Sequence, residues 1–210
     1  MLFDTVVVGG GPAGATCARR LAEAGLRVAV VEKSAPPRYK TCGGALVWRA
    51  RRLLEVDLAG CIERESFGAE LHFLDAGLSF RVERPVPLVT MTMRARLDHR
   101  LLEAACEKGA ELLAPWTLRS LEARAGELLL ETDRGSLRAR YAVAADGAAS
   151  RTARAAGWPE QPAAIPALES EIRVRPEELS RFSDSARFDF GALPNGYAWV
   201  FPKREHLSVG

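Results

Sequence analysis

Three glycines at fixed spacing constrain this chain more than any other feature. Gly9, Gly11 and Gly14 stand in the run Gly9-Gly10-Gly11-Pro12-Ala13-Gly14, between the apolar, β-branched segment Phe3–Val8 and a stretch with helical periodicity. Phe3–Val8 reads as a strand buried on both faces. From Pro12 to Ala24 the apolar residues Ala13, Cys17, Leu21 and Ala24 recur at helical spacing, and Gly25 supplies the stop. Val28–Val31 then forms a second buried strand, completing a βαβ unit. In such a unit Gly9 permits the tight turn, Gly11 lets a pyrophosphate approach the backbone, and Gly14 lets the helix close on the strand. With Pro12 and Ala13 opening the helix, the phosphates meet its positive N-terminus. Glu32 ends the second strand where a carboxylate can accept both ribose hydroxyls, with Lys33 beside it. Its spacing argues against a glycine-rich turn without a ligand. An acid there disfavours a phosphate on that sugar, so the site suits FAD or NAD rather than NADP.

The remainder of the chain alternates short strands and helices. Lys33–Gly44 reads as a loop, and a helix is expected around Leu46–Leu54. Glu70–Phe73, Leu78–Val82 and Leu88–Thr92 read as inserted strands. A second amphipathic helix spans about Arg94–Lys108, with Leu97, Leu101, Leu102, Ala105 and Cys106 on its apolar face. Glu111–Leu113, Leu118–Glu122, Leu128–Thr132 and Leu137–Ala145 form a meander that returns to the first sheet. From Ile165 onward, Glu169–Val174, Ala186–Phe190, Tyr197–Phe201 and Glu205–Val209 suggest a second, antiparallel sheet.

Composition excludes several classes. The net charge of +2 comes from scattered Lys and Arg, without the basic block of a nucleic-acid surface. The four cysteines, Cys17, Cys42, Cys61 and Cys106, form neither a metal pattern nor a disulfide framework, and no metal site is expected. Their usage and the absence of a signal-peptide pattern at the N-terminus point to the cytoplasm. No apolar stretch approaches the roughly 20 residues that span a bilayer, so any membrane contact is expected to be peripheral, at the inner face.

Three further segments carry a resemblance. Ala142-Val143-Ala144-Ala145-Asp146-Gly147, followed by Ser150 and Arg154, resembles the Asp-Gly motif of flavoproteins related to the aromatic hydroxylases. That resemblance selects FAD and implies that Asp146 and Gly147 lie near its ribityl and pyrophosphate region. Read alone, the same residues fit a plain Asp-Gly turn with a serine N-cap. Arg38-Tyr39-Lys40-Thr41-Cys42-Gly43-Gly44 is similar to the Arg-x-Lys-x-Cys-Gly-Gly loop of geranylgeranyl reductases. The third segment, Gly196-Tyr197-Ala198-Trp199-Val200-Phe201-Pro202-Lys203, resembles their Gly-Tyr-x-Trp-x-Phe-Pro-Lys strand. Arg94, Leu97, Asp98 and Leu101 match the family's Arg-x-x-Phe-Asp-x-x-Leu helix start, with Leu for Phe.

The resemblance implies that Arg38, Cys42, Gly43, Gly44 and Arg94 lie beside the flavin and that Leu118 contacts adenine through its backbone. It implies an α/β architecture: a Rossmann-type FAD-binding domain over 1–160, with inserted strands at about 62–92, and an adjoining antiparallel substrate-binding sheet begun at 161–210. Tyr197, Trp199 and Phe201 alternate onto one face, as sheet core or as a wall for a long apolar substrate. The implied activity is reduction of carbon–carbon double bonds in a prenylated small molecule or lipid, with NAD(P)H as electron donor. A proton must accompany the hydride, and Cys42 or Tyr197 is the expected acid. A flavin monooxygenase on the same fold is the alternative. Members of the family continue past the position of Gly210, so a fragment, or a truncated remnant without turnover, is also expected to fit.

Overall fold

The computed structural model describes residues 2–158, 165–182 and 184–210. The chain opens with β1 (Leu2–Val8), α1 (Pro12–Glu23) and β2 (Val28–Val31). Next come β3 (Ala45–Val47), α2 (Trp48–Leu54), a short 3-10 turn at Ala59–Cys61, β4 (Ile62–Ser66), β5 (Gly68–Phe73), β6 (Leu78–Glu83) and β7 (Val89–Thr92). They are followed by α3 (Arg94–Glu107), β8 (Glu111–Leu113), β9 (Leu118–Arg124), β10 (Glu127–Thr132), β11 (Gly135–Ala144) and α4 (Arg151–Ala155). The last elements are β12 (Ser170–Arg173), α5 (Pro176–Ser180), β13 (Ser185–Phe190), β14 (Tyr197–Pro202) and β15 (His206–Val209). Among the described residues no helix is long and apolar enough to cross a membrane.

The chain divides into two compact units, Met1–Arg38 with Leu97–Ile165, and Tyr39–Arg96 with Pro166–Gly210. The first is built on a six-stranded sheet in the order β8-β2-β1-β11-β10-β9. Its first four strands are parallel, with Val6 facing both Ala29 and Ala142, and β9 and β10 add an antiparallel edge. Phe3, Val6, Val8, Val31, Leu130 and Ala139 form the heart of its core.

Two helix faces differ from their expected ones. On α1 the buried residues are Gly14, Ala15, Ala18, Arg19 and Ala22, whereas Ala13 and Ala24 are exposed and Cys17 and Leu21 only half-buried. Small side chains face inward because this helix packs so close that backbone approach governs the contact. On α3, Leu97, Leu101, Leu102 and Ala105 are buried as expected, but Cys106 is exposed and Asp98 takes the buried place.

The second unit holds a six-stranded sheet in the order β12-β15-β14-β13-β5-β6 and a three-stranded antiparallel sheet, β3-β7-β4. The larger sheet is antiparallel except where β13 pairs β5 in parallel, from Ser185 opposite Gly68 to Phe190 opposite Phe73. Within the segment expected to hold inserted strands, β5 and β6 share one sheet with the C-terminal strands. The expected boundary at 160/161 lies outside the described residues. The helix expected from Leu46 begins at Trp48, because Leu46 and Val47 pair with Thr90 and Val89 of β7 as a strand. The α5 turn, with Pro176 in its first turn, was not anticipated.

Candidate functional site

In the first unit the glycine motif forms a cradle whose shape depends on missing side chains. Gly9 has φ +106°, and a Cβ there would lie 2.3 Å from the Ala145 carbonyl oxygen. At Gly14 a Cβ would lie 1.9 Å from the Gly9 carbonyl oxygen. Neither gap admits any other residue without moving backbone. Gly11 is the N-cap of α1 and makes no side-chain cap, while Pro12 occupies the first turn and has no N–H to satisfy. The first-turn N–H groups of α1 therefore present the positive end of the helix dipole to an anion.

Glu32 faces this cradle and is only 4% exposed. Its Oε2 accepts the Gly10 N–H at 2.7 Å and its Oε1 accepts the Ser34 N–H at 3.0 Å. The backbone is fixed on both sides, since Glu32 N–H donates to Leu113 O at 3.0 Å and Trp116 N–H donates to Glu32 O at 2.9 Å. Arg38 reaches the same carboxylate loosely, with Nε 3.4 Å from Oε1, and places Nη1 3.1 Å from Asp98 Oδ2. Asp98 is 2% exposed. Arg38 Nη1 is buried without a well-formed hydrogen bond, a donor that an incoming oxygen ligand would satisfy.

These residues fit the adenosine diphosphate half of FAD. Glu32 can accept ribose hydroxyls, the Gly9–Gly14 turn can take the pyrophosphate, and Arg38 supplies a positive charge with an unused N–H. Of the expected cofactor residues, Ala13 and Lys33 are exposed. Leu118 lies in the core of β9, two residues after the Trp116 N–H that bonds Glu32.

Asp146 follows Ala145, the residue just after β11 that crowds Gly9: its Cα lies 2.9 Å from the position of a Gly9 Cβ. Its carboxylate accepts the Arg151 and Thr152 N–H groups at 2.8 and 3.1 Å and the Ser150 hydroxyl. Ser150 in turn accepts the Ala153 N–H at 2.9 Å. Asp146 and Ser150 thus cap α4 together, the structural role open to an Asp-Gly turn. Burial alone would raise the Asp146 carboxyl; the Ser150 hydroxyl and the Thr152 and Arg151 N–H groups outweigh it and hold the group below its ordinary range.

The second unit carries the other expected site residues. Gly43 and Gly44 are buried and Cys42 is exposed, with the Cys42 N–H donating to Glu169 Oε2 at 2.8 Å. Glu169 Oε1 accepts the Ser208 hydroxyl at 3.0 Å. Gly44 has φ +66°, and its carbonyl accepts both the N–H and the hydroxyl of Thr92, at 2.8 and 2.9 Å. Arg94 opens α3 half-buried. Tyr197, half exposed, stacks loosely between Phe190 at 5.7 Å and Trp199 at 6.1 Å, and Trp199 continues to Phe201 at 6.0 Å.

The cross-strand register shows what the Tyr197–Phe201 alternation alone did not. Trp199 lies opposite Phe188 and Phe188 opposite Leu71; Tyr197 lies opposite Phe190 and Phe190 opposite Phe73. One face of the larger sheet is therefore an aromatic surface three strands wide. No local spacing marks Glu169 or Thr92 as site residues in the sequence, and Asp98 enters there only as a position of the helix-start motif.

Comparison with known proteins agrees with this geometry. The chain is 36% identical to digeranylgeranylglycerophospholipid reductase 1 of Methanopyrus kandleri, over 98% of this chain and 56% of that protein. It is 29% identical to a geranylgeranyl diphosphate reductase of Rhodobacter capsulatus, over 100% of this chain and 54% of that protein. The chain thus spans about half the length of the curated relatives it matches. A solved structure of a geranylgeranyl bacteriochlorophyll reductase-like protein from Thermoplasma acidophilum superposes with TM-score 0.83 at 25% identity, covering 99% of this chain and 55% of that one. A family model described as FAD binding domain matches residues 3–193, and the chain belongs to that family.

Proposed function

We propose that this protein is an FAD-dependent oxidoreductase that reduces carbon–carbon double bonds of a geranylgeranyl or related prenyl chain. The observation that carries the proposal is the aromatic face of the larger sheet. A nucleotide cradle alone would serve any flavoprotein, whereas Leu71, Phe73, Phe188, Phe190, Tyr197 and Trp199 offer a continuous apolar surface suited to a long hydrocarbon. The names of the relatives point to the same substrate class. FAD held by these residues would supply hydride chemistry, with NAD(P)H as the expected electron source, and a proton would have to reach the second alkene carbon.

The chain's own residues do the rest. The Gly9–Gly14 cradle, Glu32 and Arg38 would hold the cofactor's adenosine diphosphate half, and the family resemblance assigns Cys42, Gly43, Gly44, Arg94, Asp146 and Gly147 to the flavin side. The aromatic face orients the prenyl chain and keeps water from the reacting carbons. Cys42 or Tyr197 delivers the proton, since an isolated alkene accepts hydride poorly without a positioned acid. Cys42→Ala and Tyr197→Phe separate the two: turnover is lost in whichever carries the proton, and retention in both removes the assignment. All four cysteines are free thiols, which suits a cytoplasmic setting.

Anaerobic absorbance spectroscopy tests the reading. The purified protein shows a flavin spectrum that bleaches with NAD(P)H and recovers when a geranylgeranylated lipid is added. Recovery with oxygen alone would favour a monooxygenase and contradict the reductase.

A further inference from the structure

Lys203 follows the aromatic strand directly after Pro202, and its side chain is fully buried at 0% exposure. A buried ammonium is costly unless its N–H groups find acceptors. Here two backbone carbonyls serve, Gly43 O at 2.6 Å and Thr92 O at 2.9 Å. Among the described residues no carboxylate lies within 4.0 Å of this ammonium. Glu171, Glu169 and Glu63 act on it from further away, partly offsetting the burial that pushes its pKa down. A methionine would fill the same volume without this cost, so the charge and its N–H groups need a reason. The surrounding backbone supplies one.

Gly43 and Gly44 present consecutive carbonyls to the protein interior. Lys203 takes the first, and the Thr92 N–H and hydroxyl take the second. Thr92 is itself held, since its own carbonyl accepts from Lys203. A Cβ on Gly44 would meet Thr92 O at 1.9 Å and Lys203 Nζ at 2.8 Å; one on Gly43 would meet Trp199 Nε1 at 2.8 Å. The backbone of Lys203 is anchored as well, donating to His206 O at 2.8 Å and accepting from Arg64 Nε at 3.0 Å. The loop is closed from below by a rigid cation, while Cys42 at its outer end is held by Glu169.

We propose that Lys203 is a positioning residue for the Cys42–Gly44 loop, clamping it through the Gly43 and Thr92 carbonyls so that Cys42 is presented in one orientation. The catalytic meaning of that clamp rests on the reading above, which puts this loop at the reaction site. Charge-assisted hydrogen bonds are the stronger kind, and two of them on adjacent segments restrain the loop without any side chain of its own. The clamp's effect is local. It predicts loosening at residues 42–44 and 92 on loss of the ammonium, with the paired strands β5 and β13 undisturbed.

Hydrogen–deuterium exchange of the FAD-loaded protein, read on peptides covering 40–47 and 89–93, tests this directly in Lys203→Met and Lys203→Gln. Loss of two hydrogen bonds to a charged donor predicts exchange at least about tenfold faster in both peptides for Lys203→Met, with β5 and β13 unchanged. The Gln amide is one bond shorter than the lysine chain and cannot span to both carbonyls, so Lys203→Gln also loosens the two peptides. Wild-type exchange in Lys203→Met, or loosening spread evenly through the second unit, would overturn the clamp. Should Lys203→Met fail to fold, Lys203→Gln decides: a folded variant with wild-type exchange at 40–47 and 89–93 contradicts it. Prenyl turnover is read separately. Faster exchange with unchanged turnover would leave the clamp standing and defeat instead the placement of this loop at the reaction site.

Discussion

In the first unit the crowding at Gly9 and Gly14 comes from backbone, the Ala145 and Gly9 carbonyls at 2.3 and 1.9 Å from an added Cβ. In the second unit Gly44 meets the Thr92 carbonyl at 1.9 Å and also a lysine ammonium at 2.8 Å. The first arrangement is built mainly on one βαβ unit, with only the Ala145 carbonyl brought in from beyond β11. The second is assembled from segments far apart in sequence, with Lys203 160 residues from Gly43 and Glu169 127 residues from Cys42. The nucleotide cradle is thus largely a local device. The cysteine loop depends on the whole second unit folding around it.

The largest effect is expected at Gly14. Gly14→Val drives a branched side chain into the Gly9 carbonyl, a steric conflict on the order of 3 kcal/mol or more, and FAD affinity falls by at least about a hundredfold. Fluorescence titration checks this, and retained affinity would remove the cradle from the account. Glu32→Gln keeps the shape and removes the charge that accepts hydrogen bonds. It costs about 1.5–3 kcal/mol of FAD binding, or roughly ten- to a hundredfold.

Gly44→Ala sharpens the contrast from the other side. Its positive φ and the contact with Thr92 predict a loss of about 1–3 kcal/mol in stability, while affinity for ADP, which engages only the cradle, stays within about threefold. A parallel fall in ADP affinity would break the distinction between the two sites.

How far the sequence reached follows the same division. The bounds Val28–Val31 and Glu111–Leu113 are legible because they are short buried runs between clear stops. Gly9–Gly14 and Glu32 are legible because spacing along one βαβ unit fixes their geometry. The inward face of α1 is not, since periodicity finds apolar residues while close packing selects small ones, Ala15, Ala18 and Ala22. The strand at Leu46–Val47 is hidden for a related reason: its pairing with β7 overrides a pattern that continues smoothly into α2. Glu169 is an ordinary charged residue, and Lys203 only the last position of a strand motif, until the sheet brings them to the loop.

Two smaller effects concern protonation. Asp146→Asn weakens the cap of α4 by about 1 kcal/mol. The wild-type carboxyl is depressed, so its contribution is present above its unfolded value of 3.8 and is lost as pH falls through the folded value; thermal melts of wild type and variant converge there. Glu171 behaves oppositely. Burial first, then its hydrogen bond with Glu169, pushes it up to about 7 against the pull of Lys203. A raised carboxyl stabilises the folded state below its unfolded value of 4.5, and that contribution drains away as pH rises to about 7. Glu171→Gln flattens this slope in chemical denaturation, and an unchanged slope would assign the titration to another group.

The most direct test of the prenyl-reductase account is the mass of a geranylgeranylated lipid after anaerobic incubation with the FAD-loaded protein and NAD(P)H. The account predicts a gain of two hydrogens for each double bond reduced. A product that gains oxygen once air is admitted, with no hydrogen added beforehand, would contradict it.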